Sequence, residues 1–407
     1  MLQPNRLLRI ALVTPILPLA HDRTRGRYIF ETAAALGRRA DVRVYFQLNR
    51  YPQRGPLGWR TLLRGDVDEP CAVEGLDVEC FSYPSIQFAT RLLNGLTSSR
   101  FLTPRVAAFA PDVVIGYWVY PDGFAALRAA RSLRVPCVVG ALGSDVHVRS
   151  GLASWLTRGV IRGADALVTV SEAMQAVALR DFGADRSRVH TIVNGFNTGV
   201  FRPGSRQAAR AELGLPPDDR LVVYVGRLVQ SKGLRELLSA FGALARRLPD
   251  CRLALVGDGP MHAELGRLAA AAGIGSRVIL TGGLEPPSVA DWVRAGDLLT
   301  LPSWSEGYPN VVVEALACGR PVVATAVGGT GEIVDASNGI LVPPREPAAL
   351  LQALQAALAR DWDHAGIAAR MTRTWDDVAD ETLLVCRKVI ERARGRVPGA
   401  WAGIPGG

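Results

Sequence analysis

Short runs of consecutive apolar and β-branched residues alternate along the chain with longer segments whose apolar positions recur at helical spacing. Such strands, apolar on both faces and separated by helices, are typical of parallel sheets that are covered on both sides. In the first half the pattern predicts strands at 7–14, 42–46, 113–116, 137–141, 166–170 and 190–193. In the second half it predicts strands at 221–225, 252–256, 277–280, 297–301, 321–325 and 339–342.

Two successive sets of strands indicate two doubly wound domains, and 407 residues exceed what one hydrophobic core usually serves. The boundary is predicted where a Phe-Arg-Pro-Gly loop at 201–204 precedes a short helix and a Pro-Pro-Asp-Asp turn. We therefore expect domains at 1–205 and 206–374. A helical pattern covers 375–394, and a Gly- and Pro-rich tail at 395–407 is expected to be flexible.

Composition is that of an ordinary globular protein, with 48% hydrophobic and 21% charged residues. None of the six cysteines forms a Cys-x-x-Cys pair, which favours reduced, mostly buried thiols in a cytoplasmic protein.

The apolar run at 10–20 resembles a signal peptide, but Pro15 and Pro18 interrupt it, so a buried first strand is favoured. No apolar stretch approaches the roughly 20 residues of a membrane-spanning helix.

The net charge of +9 is concentrated in one half of the chain. Residues 1–215 carry 27 arginines and 17 acidic residues, a net of +10, whereas residues 216–407 have a net of −1. This asymmetry points to an anionic partner such as a membrane surface, or else to arginines that only solubilise the surface. No nucleic-acid partner is expected. The candidate membrane-facing residues are Arg50, Arg54, Arg60, Arg64, Arg91, Arg100 and Arg105 with Tyr51, Trp59, Leu62, Leu92 and Phe101.

The strongest chemical signal is a pair of carboxylates, Glu306 and Glu314, separated by seven residues. Gly307 allows a turn with unusual backbone angles, and a helix is predicted from about Asn310 to 317 with its end at 319. The first amides of that helix would point at an anion, and a carboxylate can accept from two neighbouring sugar hydroxyls. The alternative is two solvated glutamates.

Two glycine-containing turns follow predicted strands of the second half. In the first turn, Arg227 and Lys232 lie between Gly226 and Gly233, an arrangement that brings two cations to one diphosphate, although a basic surface turn would look similar. The second turn, Gly-Asp-Gly-Pro from Gly257, is a weak phosphate motif but a reasonable tight turn beside a nucleotide.

Together these segments resemble the retaining glycosyltransferases of family four. The stretches at 143–146, 168–171, 193–196 and 201–203 fit as well, whereas 47–105 fits less well. The resemblance implies an α/β fold of the GT-B type, with two facing Rossmann-like domains, parallel sheets and an interdomain cleft. It also implies a donor nucleotide in the second domain, an acceptor in the first, and a helix at 375–394 that crosses back to the first domain.

The resemblance implies roles for individual residues. Arg227 and Lys232 would neutralise the donor diphosphate, Glu306 would bind hydroxyls of the transferred sugar, and Glu314 would bind the ribose. The remaining predicted donor contacts are Gly26, Gly226, Gly257, Gly307, Tyr308, Pro309, Asn310 and Val311.

Two positions depart from the family pattern. Many relatives carry a Gly-Gly pair in the first loop, where this chain has only Gly26 flanked by Arg25 and Arg27. Some relatives carry a histidine where this chain has Leu142. Asp145 and His147 are nevertheless candidate acceptor or sugar contacts.

No metal or other cofactor is expected. Asp66-x-Asp68 and Asp361-x-Asp363 spell the motif of metal-dependent transferases, but neither follows an apolar strand, and the second is placed in a helical stretch.

The resemblance implies retaining transfer in which the departing phosphate accepts the acceptor proton. The partners expected are a nucleotide-sugar donor and a glycan or lipid-linked acceptor. We expect a role in cell-surface polysaccharide or glycolipid synthesis. The expected location is cytoplasmic, with the protein peripheral at the inner face of the plasma membrane. A sugar-nucleotide epimerase or phosphorylase, or a non-catalytic sugar-nucleotide-binding protein, are the alternatives.

Overall fold

The computed structural model describes residues 6–19, 25–52, 59–61, 73, 75–85, 93–143 and 151–395. Its contacts divide the chain into two compact units, Met1–Val193 with Trp375–Gly407 and Asn194–Thr374. The division therefore lies before the boundary expected at 205. The reason is that Phe196 and Phe201 are buried in the core of the second unit, where Arg294 donates to the Val200 carbonyl.

The first unit is built on an eight-stranded sheet with the order β3-β2-β1-β5-β6-β7-β8, and β4 also pairs with β2. All its strand pairs are parallel except β2 with β3. The strands are β1 (Arg9–Thr14), β2 (Asp41–Pro52), β3 (Trp59–Thr61), β4 (Asp77–Pro84), β5 (Val113–Tyr117), β6 (Cys137–Ala141), β7 (Ala166–Thr169) and β8 (Val189–Thr191). Its first five helices are α1 (Arg27–Gly37), α2 (Asn94–Phe109), α3 (Phe124–Leu133), α4 (Gly151–Gly163) and α5 (Glu172–Phe182).

The second unit has a six-stranded, all-parallel sheet with the order β11-β10-β9-β12-β13-β14. Its strands are β9 (Arg220–Val225), β10 (Cys251–Val256), β11 (Val278–Gly282), β12 (Leu298–Leu301), β13 (Val322–Thr325) and β14 (Gly339–Val342). Its helices are α6 (Arg206–Glu212), α7 (Leu234–Arg247), α8 (His262–Ala271), α9 (Pro286–Ala295), α10 (Asn310–Ala317), α11 (Pro347–Ala359) and α12 (His364–Ala369). At the exit of this unit, the Phe196 amide donates to the Arg373 carbonyl at 3.3 Å, and Phe196 pairs with Thr374 as an isolated parallel bridge.

The last helix, α13 (Trp375–Arg394), lies with the first unit, where it packs on α1. Its apolar face contributes Val378 and Leu383 to the first core, and Arg39 of the α1 C-terminus pairs with Asp376 at 2.8 Å and Asp380 at 2.7 Å. No helix in the described part of the chain is long and apolar enough to span a membrane. Beyond Gly395 the expected tail lies outside the described residues.

Each sheet has a point at which the strand order reverses. In the first sheet β1 has β2 on one side and β5 on the other, and in the second sheet β9 lies between β10 and β12. In open α/β sheets ligands bind at such points, outside the carboxyl ends of the strands. The loops after β1 and β5, and those after β9 and β12, are therefore the places to look for function.

The structure contradicts the cysteine prediction at one residue. Cys137, Cys251, Cys318 and Cys386 are free and buried, as expected, and burial raises the pKa of each thiol. Cys80, in β4, is disulfide-bonded. The prediction that all six cysteines are reduced is wrong there, because the lack of a Cys-x-x-Cys pair does not exclude a disulfide between cysteines at another spacing.

Two glycines with the same backbone conformation provide a test of how tightly the second unit packs around its strand ends. Gly233 (φ 67°) has the Pro302 carbonyl oxygen 2.0 Å from the position of an added Cβ, whereas Gly214 (φ 63°) has nothing within 4 Å of that position. We expect Gly214→Ala to cost about 1 kcal/mol, the strain of a left-handed alanine, and Gly233→Ala to cost at least about 2 kcal/mol more because backbone must move. Chemical denaturation measures both, and equal losses would contradict the close approach.

Candidate functional site

In the second unit, the loops after β9 and β10 are joined backbone to backbone. The Gly226 amide donates to the Val256 carbonyl at 2.9 Å, and the Leu228 amide donates to the Asp258 carbonyl at 2.8 Å. A Cβ on Gly257 would lie 2.0 Å from the Gly226 carbonyl oxygen. Both predicted glycines therefore serve this close approach of two loops, and their contact with a donor stays a prediction.

Lys232 and Glu306 meet at the carboxyl end of the second sheet. The Lys232 Nζ donates to Glu306 Oε1 at 2.6 Å, and the side chains are 25% and 12% exposed. The loops that carry them are tied together, because the Trp304 amide donates to the Ser231 carbonyl at 2.8 Å and the Trp304 indole donates to Glu236 at 3.1 Å. A cation and a carboxylate are thus held side by side at the edge where a ligand is expected.

Tyr224 lies beneath this pair, and the sequence reasoning missed it. Its hydroxyl is buried and donates to the Arg227 carbonyl at 2.9 Å. Burial raises the pKa of Tyr224 well above its usual range; the Glu306 charge adds to the rise, and Arg227 opposes it. Tyr224 therefore stays protonated and supports the turn from below.

Arg227 is placed differently from Lys232. Its side chain is exposed, and no ion pair or hydrogen bond joins that guanidinium to another described side chain. The structure thus brings Lys232 to Glu306 and leaves the neighbouring Arg227 charge available to an anion. Convergence of both cations on one diphosphate stays a prediction.

The helix after Glu306 has the predicted bounds. α10 spans Asn310–Ala317, and Gly319 follows it with φ of 73°. The first amides of a helix have no acceptor within the helix, so those at the start of α10 face outward from its N-terminus. Asn194 Nδ2 donates to Asn310 Oδ1 at 2.8 Å. Glu314, one turn into the helix, is half-buried.

The turn at Gly307 is stabilised from another loop. The Gly329 amide donates to the Gly307 carbonyl at 3.0 Å, and a Cβ on Gly328 would lie 1.8 Å from the Glu306 carbonyl oxygen. The unusual backbone angle predicted for Gly307 belongs instead to Gly328, with φ of 52°. The Glu306 backbone is therefore held against the turn that follows β13.

The other predicted donor contacts of this loop, Tyr308, Pro309 and Val311, pack against the second unit. Pro309 precedes α10, where its carbonyl accepts from the Val312 amide at 3.0 Å, and Val311 packs partly buried against the core. Tyr308 lines a cavity of about 470 Å³ whose lining includes neither Lys232 nor Glu306. Burial raises the pKa of Tyr308 to about 12. Donor contacts from these residues stay predictions.

In the first unit, Gly26 precedes α1 with φ of 63°, and an added Cβ would lie 2.8 Å from the Ile16 carbonyl oxygen. Arg25 donates to the Pro15 carbonyl at 3.0 Å, and Arg27 pairs with Glu31 at 2.8 Å. The single glycine thus closes the first loop tightly.

Several candidates for sugar or metal contacts have other positions. Asp145, His147 and Asp66-x-Asp68 lie outside the described residues. Asp361-x-Asp363 was predicted in a helix but lies between α11 and α12, and Asp363 caps α12 by accepting from the Gly366 amide at 2.8 Å. Among the described residues no group of three or more His, Cys, Asp or Glu side chains could hold a metal ion.

A second cavity, of about 240 Å³, lies at the strand-order reversal of the first sheet. The sequence reasoning missed it. The polar and aromatic side chains on its lining are those of Arg25, Gln47, Asn49, Tyr83, Trp118 and Asp122. Two signals were present in the sequence: a glutamine directly after the predicted strand at 42–46, and an Asp-Gly pair soon after the strand at 113–116.

Two family models match the chain, one in each unit. Residues 25–195 match the glycosyl transferase 4-like domain, and residues 219–360 match the glycosyl transferases group 1 domain. The chain belongs to the group 1 glycosyltransferases. This confirms the resemblance to family four that the motifs of the second half indicated.

Curated relatives of this group 1 glycosyltransferase match over about 60% of its length or less. A D-inositol 3-phosphate glycosyltransferase 1 of Catenulispora acidiphila is 39% identical over 58% of this chain and 60% of its own. The putative teichuronic acid biosynthesis glycosyltransferase TuaC of Bacillus subtilis is 34% identical over 60% of each chain. The D-inositol 3-phosphate glycosyltransferase of Mycobacterium tuberculosis is 37% identical over 57% of this chain and 50% of its own. The chain thus spans less than two thirds of these relatives.

Solved structures resemble this group 1 glycosyltransferase over nearly its whole length. Sucrose-phosphate synthase from Thermosynechococcus elongatus matches with a TM-score of 0.76 at 21% identity, over 95% of this chain and 100% of that one. Anabaena HepE, in complex with UDP and glucose, matches with a TM-score of 0.70 at 19% identity, over 96% and 100%. The predicted fold class, α/β with two parallel-sheet Rossmann-like domains of the GT-B type, is confirmed.

Proposed function

We propose that this protein is a retaining, metal-independent glycosyltransferase that moves a sugar from a nucleotide-sugar donor to a glycan or lipid-linked acceptor. The reaction would serve cell-surface polysaccharide or glycolipid synthesis. The observation that carries the proposal is the Lys232–Glu306 contact of 2.6 Å at the carboxyl end of the second sheet. A cation suited to phosphate and a carboxylate suited to sugar hydroxyls are adjacent there, as the junction between phosphate and sugar in a donor requires.

In this proposal the donor lies along the loops after β9 and β12. Lys232 and the exposed Arg227 bind the diphosphate, Glu306 binds hydroxyls of the sugar, and Glu314 binds the ribose. The amides at the start of α10 add donors for an anion. The UDP and glucose bound to the structurally similar HepE support a nucleotide sugar as the donor class.

The chemistry is a substitution on the face from which the phosphate leaves. The acceptor oxygen bonds to the anomeric carbon, the bond from that carbon to the phosphate oxygen breaks, and the acceptor proton passes to the departing phosphate. The protein orients both substrates and stabilises the negative charge of the leaving group. Arg227 and Lys232 supply that stabilisation without a metal or other cofactor. The acceptor binds the first unit, where Asp145 and His147 remain candidate contacts.

Replacing Glu306 with Gln tests its assignment to the sugar. We expect Glu306→Gln to keep nucleoside diphosphate binding while transfer falls about a hundredfold, because glutamine has one accepting oxygen where the carboxylate has two and carries no negative charge. Calorimetry with UDP and GDP, and kcat with the nucleotide sugar that raises Tm most in a screen, measure the two effects. Glu212→Gln, on the exposed end of α6, is the matched control. An equal loss of nucleotide affinity would move Glu306 away from the sugar.

Chelation and product stereochemistry test the rest of the mechanism. Transfer should be unchanged in excess EDTA, whereas Arg227→Ala and Lys232→Ala should each lower kcat about a hundredfold, or about 3 kcal/mol, by removing a cation from the leaving group. The product anomer, observed by NMR, should have the configuration of the donor. Activity that EDTA abolishes and magnesium or manganese restores would refute metal independence, and an inverted product would refute retention.

Peripheral attachment to the inner face of the plasma membrane is the proposed location. The exposed large apolar side chains of α4 support it, since Trp155 is 67% and Leu152 is 52% exposed, with the exposed Arg158 on the same helix. Arg50 and Arg100 are also exposed, whereas Arg105 pairs with Glu79 at 3.1 Å. The candidates at Arg54, Arg64, Arg91, Leu62 and Leu92 lie outside the described residues.

Vesicle co-sedimentation tests this location. The full chain should sediment with vesicles that contain anionic lipid, less so with neutral vesicles, and binding should weaken at higher salt, because each arginine near an anionic surface contributes about 1 kcal/mol. The double substitution Trp155→Ser with Leu152→Ser should weaken binding about tenfold through lost apolar burial. Leu268→Ser, an exposed leucine of the second unit, is the control. Binding indifferent to lipid charge and salt would refute the proposal.

A further inference from the structure

The 240 Å³ cavity of the first unit has the position and lining of a small-molecule site. It is enclosed by the loop after β1, by β2 and by the turn after β5, which are the elements at the strand-order reversal. Its lining combines apolar and aromatic surface with a few polar side chains, as is typical of sites that bind small ligands. The described residues that line this cavity all belong to the first unit, and neither Lys232 nor Glu306 is among them.

A chain of two hydrogen bonds ends at Asp122, one of the residues that line this cavity. The Ser98 hydroxyl donates to Gln47 Oε1, and Gln47 Nε2 donates to Asp122 Oδ1 at 2.8 Å. All three side chains are buried, and Ser98 fixes which end of the Gln47 amide faces Asp122. The donor of that amide is therefore aimed at the carboxyl group, and the group is held in one orientation.

No cation among the described residues pairs with Asp122 to offset its burial. Burial raises the pKa of the Asp122 carboxyl group to about 8. The hydrogen bonds that it accepts from its own backbone amide and from Gln47 lower this pKa, but by less. An unpaired buried carboxylate is costly, so the neutral acid is the form present at neutral pH. A neutral acid carries one O–H donor. Its two described partners, its own backbone amide and Gln47, are both N–H donors and cannot accept that proton, which leaves it available to an acceptor in the cavity.

Trp118 adds a second feature at the same cavity. It has φ of 78°, a left-handed conformation that is strained for a side chain of this size, and it is held there because its amide donates to the Gly140 carbonyl at 3.0 Å. Such strain persists where the surrounding structure imposes it, and it concentrates at binding sites. The indole lines the cavity beside Asp122, so a flat apolar surface and a hydroxyl donor face the same space.

We propose that this cavity binds an uncharged, hydroxyl-bearing ring of the acceptor, and that Asp122, as a carboxylic acid, determines specificity by donating to a hydroxyl oxygen of that ring. The inference rests on the proposed function, since it names the class of acceptor. The ring is uncharged because a phosphate would need a cation to offset its charge, and the described lining residues offer only one cation, which already has partners. Arg25, the one cation among the described residues of the lining, already donates to the carbonyls of Pro15 and Leu17.

Binding of sugars to the full chain, without donor, tests the inference directly. The probes are myo-inositol, N-acetylglucosamine and the methyl α-glycosides of glucose, galactose and mannose, each beside its phosphorylated counterpart, measured by thermal shift and calorimetry. At least one uncharged probe should bind, and its phosphorylated form should bind about tenfold more weakly. No uncharged binder in this set, or tighter binding of the phosphorylated forms, overturns the inference.

Two substitutions then separate the O–H donor from the shape of the cavity. Asp122→Asn keeps a donor and an acceptor in place, so affinity should stay within about threefold, whereas Asp122→Leu should lose about tenfold, the loss of one hydrogen bond in a buried site. Wild-type affinity should fall above pH 8 as the acid ionises, and that of Asp122→Asn should not. This comparison isolates Asp122 from Arg25 and Tyr83, which also line the cavity. An asparagine variant as weak as the leucine variant overturns the inference.

The folding of the variants and the donor site are measured independently. The wild type must take up a proton on folding between the ordinary pKa of an aspartate, about 4, and its raised value, so its stability falls as pH rises through that window. Asp122→Asn should therefore have the higher Tm at pH 8 and no advantage near pH 3. UDP binding should be unchanged in every Asp122 variant. If the wild type binds no nucleotide sugar, the proposed function is refuted. If it binds nucleotide sugar but none of the uncharged sugar probes, only this inference is refuted.

Discussion

The candidate site of the second unit depends on how closely the loops at the carboxyl ends of β9, β10, β12 and β13 approach one another. At three contacts the backbone of one loop touches the backbone of another so closely that only glycine fits, at Gly226 with Gly257, at Gly233 with Pro302 and at Gly328 with Glu306. Parallel strands end at the same edge, so their loops must share one small surface. The absence of side chains there lets polar groups from distant parts of the sequence stand within hydrogen-bonding distance.

The ion pair between Lys232 and Glu306 is a consequence of that crowding. Half-buried charges are stable only when they are paired, and here each side chain compensates the other. In the function proposed above, a bound donor would replace both partners at once, with phosphate oxygens for the lysine and hydroxyls for the glutamate. Trp304 and Tyr224 hold the two loops at the required separation without presenting a charge of their own.

The sequence predicts most of the fold because most of its strands are apolar on both faces. All twelve strands predicted from that pattern are present, and α10 has its predicted bounds because a proline, a short apolar run and a glycine mark its ends. β4 escaped prediction because polar residues interrupt it and only part of it is buried. β3 is three residues long and joins the sheet edge in the antiparallel direction.

The candidate site was less predictable than the fold. Glu306 and Lys232 were singled out because they lie in motifs, and the structure joins them. Gln47 and Asp122 lie 75 positions apart and in no motif, so their contact follows only from strand order. Local pattern indicates which elements form, but it does not indicate which side chains meet across a sheet.

The contact of Phe196 with Arg373 and Thr374 has a consequence for the topology of the whole chain. The second unit is one continuous segment, and residues close to its two ends are hydrogen-bonded neighbours. In topological terms it is a guest inserted into a host whose own chain is interrupted at Val193 and resumes at Trp375. The folded guest brings its own ends together, so the host is spared most of the chain entropy that closing so long a loop would otherwise require.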